Sequence, residues 1–415
     1  YGIADAAAFA AIGLLLWGPQ PERRRRRAAW WRLAGTVAIA VPAASYLASV
    51  VSWWLLPHPA IWLYGLTAAW TALIGAVALA GPWRRAPLAP LGLVAAVTAA
   101  VIAVDVATGS RLQMGTPFGL SAIGVVGGRF YGIGNNAVVI YAAAGIFAAA
   151  WLGMMVLRQG GRRTVGAAPA DGTGRPGTGQ PGTNQPGTNQ PGRATRRLAL
   201  LTAGTVALVL VVVSGWPGFG AKVGGTFAMV PGFLIVLMGL AGVRITARRA
   251  IAAMLAGVAL VVAFALVNYI VPATGHSDIG GFAGQVLHGG AASTLSRKID
   301  SNVGSLTVGY YALIVPPVVV LAGLILLRPS WFAVRTLPRA WTARPLLRVT
   351  LAAIWLVAVL SWVAEDSGVT VVASALPFAL PLAIAACAAA ACLDPERPVA
   401  AAERSVRQAI LDLPP

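Results

Sequence analysis

Residues 135–157, NNAVVIYAAAGIFAAAWLGMMVL, run for 23 positions without a charged side chain and give way to Arg158, Arg162 and Arg163. A bilayer core about 30 Å thick is crossed by about 20 mostly apolar residues in a helix. This run is long enough, and no strand of ordinary length would use it. The same reading gives ten further segments, at 2–18, 33–56, 60–82, 87–107, 198–215, 225–243, 250–272, 308–327, 349–364 and 369–392. The expected fold class is therefore all-α, a polytopic transmembrane helix bundle of about 11 spans.

The composition agrees. Of 415 residues, 58% are hydrophobic and only 10% charged, and the mean hydropathy is +0.77. Soluble domains carry about 25% charged residues, so an ordinary globular enzyme is excluded. The formal charge of +19 does not imply nucleic acid, because no soluble stretch is large enough to present a basic face. It is instead an orientation signal. Arg23 to Arg27, Arg32, Arg84, Arg85, the arginines between Arg158 and Arg197, those between Arg244 and Arg249, those between Arg328 and Arg348, and Arg397, Arg404 and Arg407 fall in alternate connections. Those connections hold 26 of the 31 basic residues, and the opposite side holds Arg111, Arg129, Lys222, Arg297 and Lys298. Lys and Arg concentrate in cytoplasmic loops, which predicts an extracytoplasmic N-terminus and a cytoplasmic C-terminus.

The expected organisation is a first membrane half over 1–157, a basic cytoplasmic linker over 158–197, a second half over 198–393, and a tail over 394–415. Within the linker, GTGRPGTGQPGTNQPGTNQPGR at 172–193 is a short-period repeat lacking large apolar residues. Such a segment buries too little surface to offset its ordering entropy and is expected to be disordered. The chain opens at Tyr1, so a preceding segment is expected, on the outer side. Arginine outnumbers lysine 29 to 2 amid abundant alanine, which suggests a GC-rich bacterial genome. Cys387 and Cys392 read as packing residues.

All three histidines, with Asp105, Asp278, Asp300, Glu365 and Asp366, fall on the arginine-poor side. Four connections there carry polar chemistry. Residues 104–137, VDVATGSRLQMGTPFGLSAIGVVGGRFYGIGNNA, are too apolar for a solvated loop and too glycine-rich for one helix, which is how a re-entrant segment reads. Asp105 lies within reach of Arg111. Arg129, Tyr131, Asn135 and Asn136 flank the Gly132-Ile133-Gly134 turn. They read either as a brace with Asn135 as helix cap, or as a ligand site in which guanidinium groups and glycine N–H groups hold phosphate or carboxylate. In residues 216–233, WPGFGAKVGGTFAMVPGF, Lys222 reads as a lysine snorkelling to the interface or as part of an anion cradle.

Residues 274–306 contain the pair His276-x-Asp278, which has the chemistry of a metal ligand or general base but lacks further ligands. They also contain Leu295, Ile299 and Val303 at fourfold spacing, which predicts an amphipathic helix in the interface. The turn Glu365-Asp366-Ser367-Gly368 is explained by turn chemistry, though its carboxylates invite a cation such as Arg111, Arg129 or Lys298. No catalytic or cofactor signature occurs, and no cofactor or metal is assigned.

The ordered strings GSRLQ, GGRFYGIGNNA, GAKVGGTFAMVPG, RKIDSNVG and EDSGV resemble an uncharacterised family of multi-pass actinobacterial membrane proteins, over residues 104–370. The resemblance implies a plasma-membrane helix bundle, in some members preceded by an extracytoplasmic domain of the alkaline-phosphatase or sulfatase type. The functional expectation is a cell-envelope protein that binds or processes an anionic, phosphate-bearing or lipid-linked precursor on its outer face. Arg111, Arg129, Tyr131, Asn135, Lys298 and Asn302 would contact it, and Asp105, His276 and Asp366 would orient it or move protons. Membrane lipids and a preceding domain of the same polypeptide are the other expected partners. A multi-pass transporter and a membrane anchor for that preceding domain are the rivals.

Overall fold

The apolar run around residues 135–157 becomes the innermost helix of a bundle in the computed structural model, which describes residues 24–86, 88–118, 132–166, 192–270, 296, 299–300, 302–304, 311–328, 331, 336–365, 368 and 370–391. The helices in chain order are α1 (Arg24–Ala48), α2 (Pro59–Ala80), α3 (Ala89–Ala107), α4 (Asn135–Gly166), α5 (Arg193–Gly215), α6 (Val223–Leu240), α7 (Ala247–Ile270), α8 (Tyr311–Leu327), α9 (Thr336–Ala343), α10 (Pro345–Ala364) and α11 (Leu376–Ala391). Among the described residues there is no strand. Seven of these helices, α2 to α7 and α10, are long and apolar enough to cross a membrane, and the apolar parts of α8 and α11 are shorter. The chain is an all-helical, multi-pass membrane protein.

The bundle is ordered by how much of each helix is covered. In α4, 83% of the spanning window is buried, against 22% in α2 and in α7, whose apolar faces are left for lipid. Around α4 pack α3, α5, α6 and α10; α1 packs on α2 and α11, and α6 lies between α10 and α7. Lipid is as apolar as leucine, so close packing and polar contacts hold such helices together. Small residues supply the closeness. A side chain at Gly145 would meet Leu210 at 2.5 Å, and one at Gly323 would meet the Trp355 ring at 2.8 Å. Hydrogen bonds reinforce both pairings: the Tyr141 hydroxyl donates to the Leu210 carbonyl at 3.1 Å, and the Trp355 indole to the Val319 carbonyl at 2.9 Å. Pro231 in α6 removes the N–H that would bond the Phe227 carbonyl, and a Cβ at Gly257 of α7 would lie 2.7 Å from that carbonyl oxygen.

The sequence boundaries shift in places. The expected span 33–56 moves toward the arginine run, because α1 ends at Ala48, before a connection carrying Trp53, Trp54 and Pro57. The expected segment 369–392 is broken into a turn at Thr370–Ala373 and α11. Both ends of the segment 158–197 are helical, since α4 runs on to Gly166 and α5 starts at Arg193. Helix α9, inside an arginine-rich connection, was not anticipated; it places the buried Trp341 under the Arg348 guanidinium, 5.2 Å from the ring centroid. The segments 2–18 and 172–191 lie outside the described residues.

The arginine-bearing connections share one end of the bundle and seal it by donating to helix-end carbonyls. Arg32 reaches Arg84 at 3.2 Å, Arg196 reaches Ala241 at 3.3 Å, and Arg348 reaches Leu326 and Leu327 at 2.9 and 3.2 Å. The opposite, arginine-poor end gathers the C-termini of α3, α5 and α10 with the N-termini of α4 and α6.

Candidate functional site

At that arginine-poor end the loops are stitched together by buried polar groups. Asp105, in the last turn of α3, is 3% exposed, and its carboxylate accepts the N–H groups of Leu112 and Gln113 at 2.7 and 3.1 Å. The connection turns through Gly109 and Ser110, at φ 105° and 60°, and Ser110 N–H donates to the Asp105 carbonyl at 2.7 Å. Gln113, wholly buried, donates its amide to the Gly132 carbonyl and accepts the Gly134 N–H at 3.1 Å. The next link is from Ile133 N–H to the Gly220 carbonyl at 3.2 Å. A chain of contacts thus runs from the end of α3 to the connection between α5 and α6.

That second connection folds back on α5. Gly220 N–H donates to the Val213 carbonyl at 2.9 Å and Lys222 N–H to the Ser214 carbonyl at 3.0 Å. Between them Ala221 holds φ 48°, a left-handed conformation that costs a residue with a Cβ, and it is wholly buried. The strained link aims Lys222, the residue before α6, into the bundle. Its ammonium lies 2.8 Å from Glu365 Oε2 and donates to Asn135 Oδ1. The two charged side chains are 7% and 4% exposed. Asn302 completes the group by donating to the Glu365 carbonyl at 3.3 Å.

Each charge of this pair stands where its own helix disfavours it. Lys222 precedes α6, at the positive end of that helix's dipole, and Glu365 follows α10, at the negative end of that one. Pairing offsets both mismatches. It also removes two charges from water, a cost that a buried pair recovers only when further bonds satisfy its remaining capacity. Here that capacity is partly open: among the described residues Glu365 Oε1, Ser361 Oγ one turn earlier on α10, and Asn136 Oδ1 are buried without a hydrogen-bond partner. Gly224 makes room for the carboxylate, since a Cβ there would lie 2.6 Å from Glu365 Oε1 and 3.1 Å from the Ala364 methyl group.

Chemically, the cluster joins one ammonium, one carboxamide and the first turns of α4 and α6, whose leading N–H groups lack acceptors within their helices. The anion paired with this ammonium is the Glu365 carboxylate. No match was found for the chain among family models, curated proteins or solved structures. The functional reading accordingly rests on this geometry.

The structure sorts the expected site residues. Asn135 and Asn302 are brought together around the Lys222–Glu365 pair. Asp105 acts as a brace: its carboxylate accepts backbone amides, and the Arg111 side chain is exposed. Arg129, Tyr131, His276, Lys298 and Asp366 lie outside the described residues. Lys222 does not snorkel; it is buried and paired, and it rather than Arg111 is the described cation that answers Glu365. The neglected signal was scarcity. Two charges at helix ends of unfavourable sign, on a side with few charges, require partners. Among the described residues no group of three His, Cys, Asp or Glu side chains could hold a metal ion.

Proposed function

We propose that the chain is a plasma-membrane protein of the bacterial cell envelope, built from about eleven spans with its N-terminus outside and its C-terminus in the cytoplasm. It binds an anionic, phosphate-bearing or lipid-linked precursor at the extracytoplasmic end of the bundle. The observation that carries this reading is the buried Lys222 ammonium, held with Asn135 where the N-termini of two membrane helices converge. The excess of arginine at the opposite end supports the assignment of that end to the cytoplasm. Ionisable residues within a membrane protein's helical bundle are expensive to keep and mark ligand or ion sites. Arg111, Arg129 and Lys298 supply further positive charge on the same side, and Asn302 holds the Glu365 backbone. The strings shared with the actinobacterial membrane family fit the same envelope setting.

The test replaces the charged pair without emptying its space. A strain carrying Lys222→Met together with Glu365→Leu, at normal protein level, is expected to show altered envelope composition or slowed growth. Unchanged envelope and growth contradict the proposal.

A further inference from the structure

The carboxylate of Glu365 is an incomplete match for the place it occupies. One oxygen bonds Lys222 at 2.8 Å. The other, Oε1, is buried with no hydrogen-bond partner among the described residues, close enough to Gly224 that a Cβ there would lie 2.6 Å from it. Buried acceptors are normally satisfied, so an orphaned carboxylate oxygen needs an explanation. The hydroxyl of Ser361, one turn back along α10, is buried without a partner as well.

We propose that Glu365 is a built-in stand-in for the ligand: its carboxylate occupies the anion position beside Lys222 at the start of α6, and an entering phosphate group displaces it. This rests on the anion-binding reading above. Three features make the exchange feasible. Glu365 is the residue after the last turn of α10, with extended backbone at φ −97° and ψ 162°, so it leaves without unwinding the helix. Gly368, at φ 62°, forms a left-handed turn three residues on that a side chain would oppose. Its negative charge also faces the negative end of its own helix, and among the described residues Lys222 is the cation that holds its carboxylate. A phosphate monoester carries about −1.5 to −2 charge and three strong acceptor oxygens, against one charge and two oxygens for the carboxylate. It neutralises Lys222 and brings one more acceptor oxygen than the carboxylate it replaces.

The experiment uses the full chain in nanodiscs, as wild type, Glu365→Gln, Glu365→Asp and the double variant Lys222→Met/Glu365→Leu. One arm adds inorganic phosphate to phosphatidylcholine discs; the other builds phosphatidic acid into them. Removing the competitor is expected to tighten phosphate binding about tenfold or more in Glu365→Gln, equivalent to about 1.4 kcal/mol, with a larger ligand-induced rise in unfolding temperature than wild type. Glu365→Asp, one methylene shorter, shifts in the same direction and carries the test should Glu365→Gln fail to fold. A response in both arms means that free phosphate suffices; a response to phosphatidic acid alone assigns a lipid headgroup. Glutamine and aspartate variants that bind no tighter than wild type, while wild type binds and the double variant does not, overturn the stand-in role and leave the site. Absence of binding by every protein in both arms overturns both.

Discussion

Lys222 and Glu365 meet at 2.8 Å where α6 begins and α10 ends, and both side chains are more than nine-tenths buried. They are far apart in the chain and adjacent only because α6 and α10 pack side by side. Breaking such a pair from one side leaves a buried charge without its counter-charge, which costs about 3–5 kcal/mol. Lys222→Met alone and Glu365→Leu alone are therefore expected to lose that much stability. The double variant Lys222→Met/Glu365→Leu recovers most of it, because apolar side chains of similar size replace the pair. Denaturant unfolding in mixed micelles, read as a double-mutant cycle, checks this; additive losses contradict it.

Gly224 and Gly204 separate packing from propensity. A methyl group at Gly224 meets Glu365 Oε1 at 2.6 Å, so Gly224→Ala pushes the carboxylate off Lys222 and is expected to cost about 1–3 kcal/mol. At Gly204 on α5 nothing lies within 4 Å, and Gly204→Ala should gain up to about 1 kcal/mol from helix propensity. Unfolding of the two variants in the same micelles gives opposite signs.

The Asp105 carboxylate accepts the backbone N–H groups of Leu112 and Gln113. Asparagine offers a single acceptor oxygen there, so Asp105→Asn is expected to lose about 1.5–3 kcal/mol, the strength of a hydrogen bond to a charged group, while leaving phosphate affinity where it was. Arg111→Ala, at an exposed side chain, should change stability by no more than about 0.5 kcal/mol. A drop in affinity without a drop in stability for Asp105→Asn returns it to the binding site.

Gln113 bridges loops through two backbone atoms, the Gly132 carbonyl and the Gly134 N–H. Gln113→Leu leaves both buried groups without that partner, at about 1–3 kcal/mol each. The observable is local: a cysteine placed at Ile133, wholly buried in the native bundle, should become reactive to thiol reagents in the Gln113→Leu background and stay protected otherwise.

The bundle was legible in the sequence because hydropathy and arginine placement are properties of consecutive residues. Each expected segment from 33–56 onward contains a helix. Which helices touch was not legible. Helices such as α6 and α10 are apolar nearly all round, so periodicity names no packing face, and the neighbour relation that joins Lys222 to Glu365 leaves no local mark. Asn135 was found because it stands at a helix start beside a glycine turn. Lys222 was read as an interface lysine because a lone cation near a span end generally reaches outward. Gln113 escaped notice because its partners are backbone atoms of a different loop, which carry no residue signature.

On the proposed function, the Lys222 cluster holds a phosphate-bearing envelope molecule. Mass spectrometry of lipids and precursors retained on the full chain, purified in parallel as wild type and as Lys222→Met/Glu365→Leu, tests it most directly. A defined phosphate-bearing species is expected on the wild type and missing from the equally folded double variant. The same retained species on both proteins, in the same amount, contradicts it.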